Sequence, residues 1–146
     1  MTTLQQHISK HKVRRAFDRA ANSYDAAAVL QKEVCRRLLD KLDYIRLSPQ
    51  LVLDAGVGTG EAVAPLMRRY KKSRLVALDL SEHMLRACGE RLAREPEAVQ
   101  ARARLVRADM RDFDLGRTFP LVIIPFQSLQ ELTDSCDVTA ALRGMH

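Results

Sequence analysis

The stretch LVLDAGVGTG, at positions 51–60, constrains the fold of this chain more than any other part of the sequence. Its first three residues have the apolar composition of a short buried strand. Three glycines then follow at every second position, and glycine permits both a tight turn and a close approach of the backbone to a ligand. Apolar residues recur three or four apart over 63–70, which predicts a helix with free amides at its start. The stretch therefore indicates a strand, a turn and a helix built around a nucleotide cofactor.

The residues around the glycines distinguish between classes of cofactor. A dinucleotide-binding turn has a glycine or alanine one position after the third glycine of this chain, where Glu61 stands instead. A second carboxylate, Asp54, stands just before the glycines. Two carboxylates would repel a pyrophosphate, whereas a carboxylate at this place suits a ligand that carries an ammonium group.

Two further carboxylates follow apolar strands later in the chain. Asp79 closes the run 75–78, where it can accept hydrogen bonds from both hydroxyls of a ribose. Asp109 closes the run 105–108, where it can accept a hydrogen bond from an adenine amino group. The alternative interpretation is that the glycines form only a tight turn and that the acids only cap helices.

The motifs DAGVGTG, ALDLS and RADM, in this order and spacing, resemble those of class I S-adenosylmethionine-dependent methyltransferases. The resemblance implies a Rossmann-like parallel sheet and S-adenosylmethionine as the cofactor. It also implies that Asp54 lies near the methionine moiety, that Asp79 holds the ribose and that Asp109 holds the adenine. The other expected cofactor contacts are glycines and apolar neighbours, namely Gly56, Gly58, Gly60, Leu80, Met84, Met110 and Phe126.

The rest of the chain predicts an α/β fold with four parallel strands, the fourth over 121–124. Right-handed crossovers would give the strand order 3-2-1-4. Two helices are predicted ahead of the first strand, from about 10 to 24 and from about 26 to 45. The expected buried stripe of the second helix is Leu30, Val34, Leu38, Leu42 and Ile45. Ser81 is expected to cap a helix buried through Met84, Leu85, Cys88 and Leu92, and a last helix is expected to be buried through Val138, Ala141, Leu142 and Met145.

This pattern divides the chain into a helical lid or cover, 1–48, and a cofactor-binding core, 49–146. The class I methyltransferase sheet has seven strands, so we expect a truncated form of it that lacks the C-terminal strands. The strand 121–124 would then lie at an open edge, and such an edge invites pairing with another chain. We expect a homodimer through this edge, aggregation or partial function.

The stretch RRAFDRAANSYDAAAVLQKEV, followed by LDYIR, looks like the N-terminal third of the malonyl-acyl carrier protein O-methyltransferase family of biotin synthesis. This resemblance implies methylation of the malonyl carboxylate, with an acyl carrier protein as the partner. It makes Tyr24 and Gln31 candidate contacts, and Tyr24 is also the one candidate for positioning the substrate. Tyr24 could equally be a core aromatic residue. A malonyl carboxylate is already ionised at neutral pH, so no general base is expected.

The net charge of +6 favours an acidic partner, and five cations of the first helix would attract it, namely Lys10, Lys12, Arg14, Arg15 and Arg19. These cations could equally form a solvated helix face. Elsewhere basic residues alternate with acids and only 5% of residues are aromatic, which argues against a nucleic-acid partner. No apolar run is long enough to span a membrane, and the polar start lacks the pattern of a signal peptide, so a cytoplasmic protein is expected. The three cysteines, Cys35, Cys88 and Cys136, indicate neither a disulfide framework nor a metal site.

Three alternatives remain open from the sequence. One is a class I methyltransferase that acts on another small molecule. The second is a cofactor-binding module without turnover, and the third is a dinucleotide-dependent oxidoreductase, which tight binding of NAD would support.

Overall fold

The computed structural model describes residues 28–125 and 128–145. Within these ranges it has five α-helices and four β-strands. The helices are α1 (Val29–Lys41), α2 (Val63–Arg69), α3 (Glu82–Leu92), α4 (Glu97–Gln100) and α5 (Ser135–Met145). A 3-10 helix, Leu42–Tyr44, directly follows α1. The strands are β1 (Leu51–Ala55), β2 (Arg74–Asp79), β3 (Ala103–Arg107) and β4 (Leu121–Ile123). The predicted helix over 10–24 lies outside the described residues.

The four strands form one parallel sheet in the order β3-β2-β1-β4, which confirms the predicted strand order. Leu53, in the middle of β1, is paired with Val76 of β2 and with Val122 of β4. Because all the strand pairs are parallel, the strands end at the same edge of the sheet. The glycine turn, Asp79 at the end of β2 and Asp109 just after β3 are therefore brought to that edge.

Helices cover both faces of the sheet, as the unbroken apolar runs of the strands predict. Val52 and Leu75 face a core that contains Cys35 of α1, Leu66 of α2 and Cys88 of α3. On the opposite face of the sheet, Leu53, Val76 and Leu78 lie in a second core with Ala141 and Met145 of α5. Among the described helices, none has the length and apolar composition of a membrane span.

Parts of two predicted helix stripes are wrong. Leu30 is 64% exposed and Ile45 is 52% exposed, and the buried residues of this segment are Cys35 and Leu42. The change from an α-helix to a 3-10 helix at Leu42 alters the number of residues per turn, which breaks the periodicity that placed Ile45 on the buried stripe. Leu142 of α5 is also exposed, by 51%, because this helix is buried only through Ala141 and Met145.

The guanidinium of Arg102 joins the end of α2 to the loop before β3. Its Nη1 donates hydrogen bonds to the carbonyls of Tyr70 and Ser73, both at 3.1 Å. Its Nη2 donates to the carbonyl of Met67 at 3.1 Å, and its Nε donates to that of Ala98 at 3.0 Å. Carbonyls at the end of a helix lack partners within the helix, so Arg102 serves as a cap that the sequence pattern did not reveal.

We expect Arg102→Lys to lower the free energy of unfolding by about 1–3 kcal/mol, because one ammonium cannot replace the fork of guanidinium donors. Urea denaturation followed by circular dichroism measures this loss. The matched control is Arg104→Lys, at an exposed position of β3 two residues away, for which a change within about 0.5 kcal/mol is expected. Equal effects of the two substitutions would contradict the capping role of Arg102.

Candidate functional site

The site lies where the glycine turn meets the ends of β1 and β2. Gly56, Gly58 and Gly60 all have positive φ angles, of 77°, 57° and 86°. At Gly60 a Cβ atom would lie 2.6 Å from the sulfur of Cys88, so a glycine is needed for the turn to pack against α3. At Gly58 a Cβ atom would meet nothing within 4 Å. This side of the turn therefore has open space in which a ligand can lie.

The amides of the turn are already used within the protein. Gly56 and Val57 donate hydrogen bonds to the carbonyl of Leu78, at 2.8 and 3.0 Å. Gly60 donates to the carbonyl of Val57 at 3.1 Å. Helix α2 begins only at Val63. These amides precede the helix, because the turn folds back onto β2 before α2 starts. The free amides predicted at the start of the helix stay a prediction.

Asp79 connects the glycine turn to the start of α3. Its Oδ2 accepts a hydrogen bond from the amide of Gly58 and its Oδ1 accepts one from the amide of Ser81, both at 2.9 Å. Ser81 in turn caps α3, since its hydroxyl accepts a hydrogen bond from the amide of Met84 at 3.3 Å. Asp79 therefore has a structural role at the turn, and its contact with a ribose stays a prediction.

Asp54 is completely buried, on the face of the sheet that α1, α2 and α3 cover. Neither of its carboxylate oxygens has a hydrogen-bond partner among residues 28–125 and 128–145. Burial, and then the negative charge of Asp79, raises the pKa of Asp54 to about 8. Burial followed by the charge of Asp54 also raises the pKa of two nearby thiols, to about 11 for Cys35 and about 12 for Cys88. At neutral pH the carboxyl group of Asp54 is therefore mostly protonated.

Arg91 of α3 is a residue of this site that the sequence pattern did not reveal. Its Nε donates a hydrogen bond to the carbonyl of Thr59 at 3.1 Å, and its Nη1 lies 3.0 Å from the carboxylate of Glu61. The side chain of Arg91 thus binds the glycine turn at both Thr59 and Glu61. The charge of Glu61, which argued against a pyrophosphate in the sequence, is offset by this arginine.

Asp109 lies beyond the end of β3 and is bound by Arg111. Arg111 donates to Oδ1 of Asp109 from its amide at 3.0 Å and from its Nε at 2.8 Å, and its Nη2 contacts Oδ2. The neighbouring Met110 reaches the turn, since its Cε is 3.4 Å from the place of a Cβ on Gly56. The structure thus brings the end of β3 to the glycine turn, as the motif spacing predicted, while adenine binding by Asp109 stays a prediction.

The other predicted contacts differ in their surroundings. Met84 is only 2% exposed, whereas Leu80 is 41% exposed. Gln31 is half-buried on α1. Phe126 and Tyr24 lie outside the described residues. Ser128, which no sequence pattern marks, contacts the turn through its hydroxyl, 3.5 Å from the carbonyl of Gly56.

Residues 52–146 match the protein family described as "Methyltransferase domain". This match covers more than half of the chain and includes the strands, the glycine turn and the acids described above. The chain therefore belongs to the methyltransferase domain family.

Several curated proteins with the same name are similar to this chain in sequence. A malonyl-[acyl-carrier protein] O-methyltransferase of Methylovorus sp. (strain MP688) is 54% identical over 86 residues, which cover 59% of this chain and 29% of the relative. The protein of the same name from Laribacter hongkongensis (strain HLHK9) is 44% identical over 118 residues, which cover 75% of this chain and 38% of the relative. The chain thus matches well under half the length of these relatives.

Solved structures share the fold. Streptomyces venezuelae DesVI has a TM-score of 0.69 and 29% identity, covering 86% of this chain and 50% of its own. The glycopeptide N-methyltransferase MtfA complexed with S-adenosyl-L-methionine has a TM-score of 0.66 and 29% identity, covering 75% of this chain and 43% of its own. These likenesses confirm the Rossmann-like methyltransferase fold predicted from the sequence.

The raised pKa of Asp54 gives a prediction for the pH dependence of stability. A carboxyl group whose pKa is higher in the folded state binds more protons there, so the free energy of unfolding should fall between pH of about 4 and about 8. We expect Asp54→Asn to remove this decrease, because an amide does not ionise. Urea denaturation of both proteins at several pH values measures the difference. Glu90→Gln, at an exposed position of α3, is the control and should keep the wild-type decrease. If the Asn variant also shows the decrease in the free energy of unfolding, ionisation of Asp54 is not its cause.

Proposed function

We propose that this chain is the S-adenosylmethionine-binding core of a methyltransferase. The observation that carries the proposal is the hydrogen bond from the amide of Gly58 to the carboxylate of Asp79. It holds this carboxylate at the glycine turn, where the side of Gly58 is open. Asp54, which is buried and has no hydrogen-bond partner in the described part of the chain, and Asp109, just beyond the end of β3, support the same ligand. S-adenosyl-L-methionine and S-adenosyl-L-homocysteine are bound by the structural neighbour MtfA, which adds to this support.

The residues present fit this cofactor. The open side of Gly58 allows the ligand close to the backbone, and Asp79 would hold the ribose, since each carboxylate oxygen can accept more than one hydrogen bond. Asp109 would bind the adenine amino group, with Leu80 and Met110 as apolar neighbours. When bound, the cofactor supplies a methyl group on a positively charged sulfur. We propose that this chain's residues act by aligning the two reactants and excluding water, since such a displacement needs alignment more than a strong base.

We propose the carboxylate of a malonyl group on an acyl carrier protein as the methyl acceptor. The support is the 54% and 44% identity to proteins that carry this name. Tyr24 stays a candidate for positioning the acceptor, and the basic residues of 10–19 stay candidates for attracting an acidic carrier protein. The lid role of 1–48 and the cytoplasmic location likewise stay predictions.

A second candidate acceptor is the amino group of a small molecule. Desolvation, and then the negative charge of Asp79, raises the pKa of Glu131, so a further carboxylate lies within electrostatic reach of the site. An additional negative charge attracts a cationic amine and repels a malonyl carboxylate. The neighbour MtfA is named as a glycopeptide N-methyltransferase, which is consistent with this alternative.

We also propose that β4 can pair with a second copy of the chain. Within the described residues β4 is hydrogen-bonded to β1 alone and forms one edge of the sheet. An edge strand offers unpaired backbone groups to another strand. Sedimentation equilibrium at several concentrations tests this, and a strictly monomeric sample contradicts it.

Calorimetric titration with S-adenosylhomocysteine, with NAD as the comparison ligand, tests the cofactor. We expect binding of S-adenosylhomocysteine alone, and we expect Asp79→Asn to weaken it by about 1–3 kcal/mol, because ribose hydroxyls lose a charged acceptor. Asp114→Asn is the matched control, since this exposed aspartate also accepts a backbone amide but lies in another loop. Thermal melting of each variant separates weaker binding from unfolding. Unchanged affinity in the Asp79 variant contradicts its assignment, and tight binding of NAD contradicts the proposed cofactor.

Transfer of a labelled methyl group to malonyl-acyl carrier protein, compared with small-molecule amines, tests the acceptor. Under the main proposal the carrier protein is methylated, and Glu131→Gln leaves this activity unchanged or raises it, because a repulsive charge is removed. Under the second candidate an amine is methylated and the same substitution lowers that activity. Binding of the cofactor without transfer to either acceptor would contradict both and indicate a binding module.

A further inference from the structure

One guanidinium, that of Arg111, connects the end of β3 to α5. Besides the three contacts with Asp109 described above, its Nη1 donates a hydrogen bond to Oδ2 of Asp137 at 2.8 Å. Asp137 lies in the first turn of α5. The side chain of Arg111 is 19% exposed, and those of Asp109 and Asp137 are 27% and 28% exposed. The three side chains form a partly buried ion-pair network, whereas the ion pairs of α1, such as Arg36 with Asp40, are more exposed.

The geometry of this network fixes the plane of the Asp109 carboxylate. A guanidinium that contacts both oxygens of a carboxylate through Nε and Nη2 aligns the two planar groups. The bond to Asp137 holds the opposite side of the guanidinium, which prevents the pair from rotating together. The hydrogen bond to Asp109, and then the one to Asp137, raises the pKa of Arg111, so this side chain stays charged.

We propose that Arg111 is a positioning residue for recognition of the adenine amino group, acting by orienting the carboxylate of Asp109. The proposal rests on the function proposed above. An amino group donates its hydrogen bonds in the plane of the adenine ring, so the acceptor must present its lone pairs along a matching direction. A carboxylate with a fixed plane meets this condition before the ligand arrives, which reduces the cost of ordering on binding.

Asp137 has a supporting role in this network. It does not contact the ligand in this proposal, but it keeps the guanidinium of Arg111 from turning away from Asp109. Substitution of Asp137 should therefore weaken recognition in the same sense as substitution of Arg111 and to a smaller extent. A lysine at position 111 keeps the charge but cannot make the two-pronged contact.

The test is a comparison of two ligands, S-adenosylhomocysteine and its analogue with hypoxanthine in place of adenine, which has an oxygen instead of the amino group. Affinities are measured by calorimetry for the wild-type chain, Arg111→Lys and Asp137→Asn. We expect Arg111→Lys to weaken S-adenosylhomocysteine about tenfold, the size of one hydrogen bond to a charged group, and to change the analogue by much less. The matched control is Arg107→Lys on β3, whose exposed pair with Glu82 lies outside the network. It should change neither affinity.

Each outcome supports or overturns the proposal. Selective loss of the amino-bearing ligand in both variants, with wild-type melting temperatures, supports it. Equal loss of both ligands means that Arg111 only maintains the fold, and unchanged affinities mean that it has no role, so either result overturns the proposal while leaving the cofactor assignment intact. If the wild-type chain binds neither ligand, the proposed function fails and this inference fails with it.

Discussion

The hydrogen bond from the amide of Gly58 to the carboxylate of Asp79 is the constraint on which the candidate site depends. It spans 21 residues of sequence and joins the turn after β1 to the end of the neighbouring strand. The carbonyl of Leu78 accepts two further amides of the same turn, so the end of β2 fixes the course of the chain after β1. The other oxygen of Asp79 accepts a hydrogen bond from the amide of Ser81, the residue that caps α3. The site and the local fold are consequently not separable, because one carboxylate organises both.

Arginine side chains complete this organisation from outside the motif. Arg91 holds the glycine turn to α3, Arg102 closes the end of α2, and Arg111 ties the end of β3 to α5. Each makes several directional contacts at once, which a planar guanidinium does better than an ammonium. Three basic residues of the chain therefore act within the fold. The acids that pair with them, Glu61, Asp109 and Asp137, balance their charge, so the net charge of +6 resides in the other residues.

The sequence predicted those features that follow from local patterns and general rules of sheets. Apolar runs identified all four strands, right-handed crossovers gave their order, and Ser81 was recognised as a helix cap. The exposure of Leu30 and Leu142 could not be predicted, because it depends on which side of a helix another element covers. That of Ile45 could not be predicted either, because it follows a change from an α-helix to a 3-10 helix that no residue pattern marks. Arg91 was missed for a similar reason, since its partner Thr59 is 32 residues away and no local pattern marks the pair. Long-range polar contacts of this kind leave no periodic signal in a sequence.

A dinucleotide is disfavoured in the structure for a different physical reason than in the sequence. In the sequence the reason was repulsion of a pyrophosphate by Asp54 and Glu61. In the structure Glu61 is paired with Arg91, and the buried Asp54 is mostly neutral at pH 7 because its pKa is about 8. What disfavours a phosphate here is the use of the turn's amides: Gly56, Gly58 and Gly60 all donate their hydrogen bonds to groups of the protein itself. A glycine turn binds phosphate through free amides. A turn whose amides already hold a neighbouring strand and its carboxylate does not offer those amides to a phosphate, and for this reason we propose a ribose rather than a phosphate beside it.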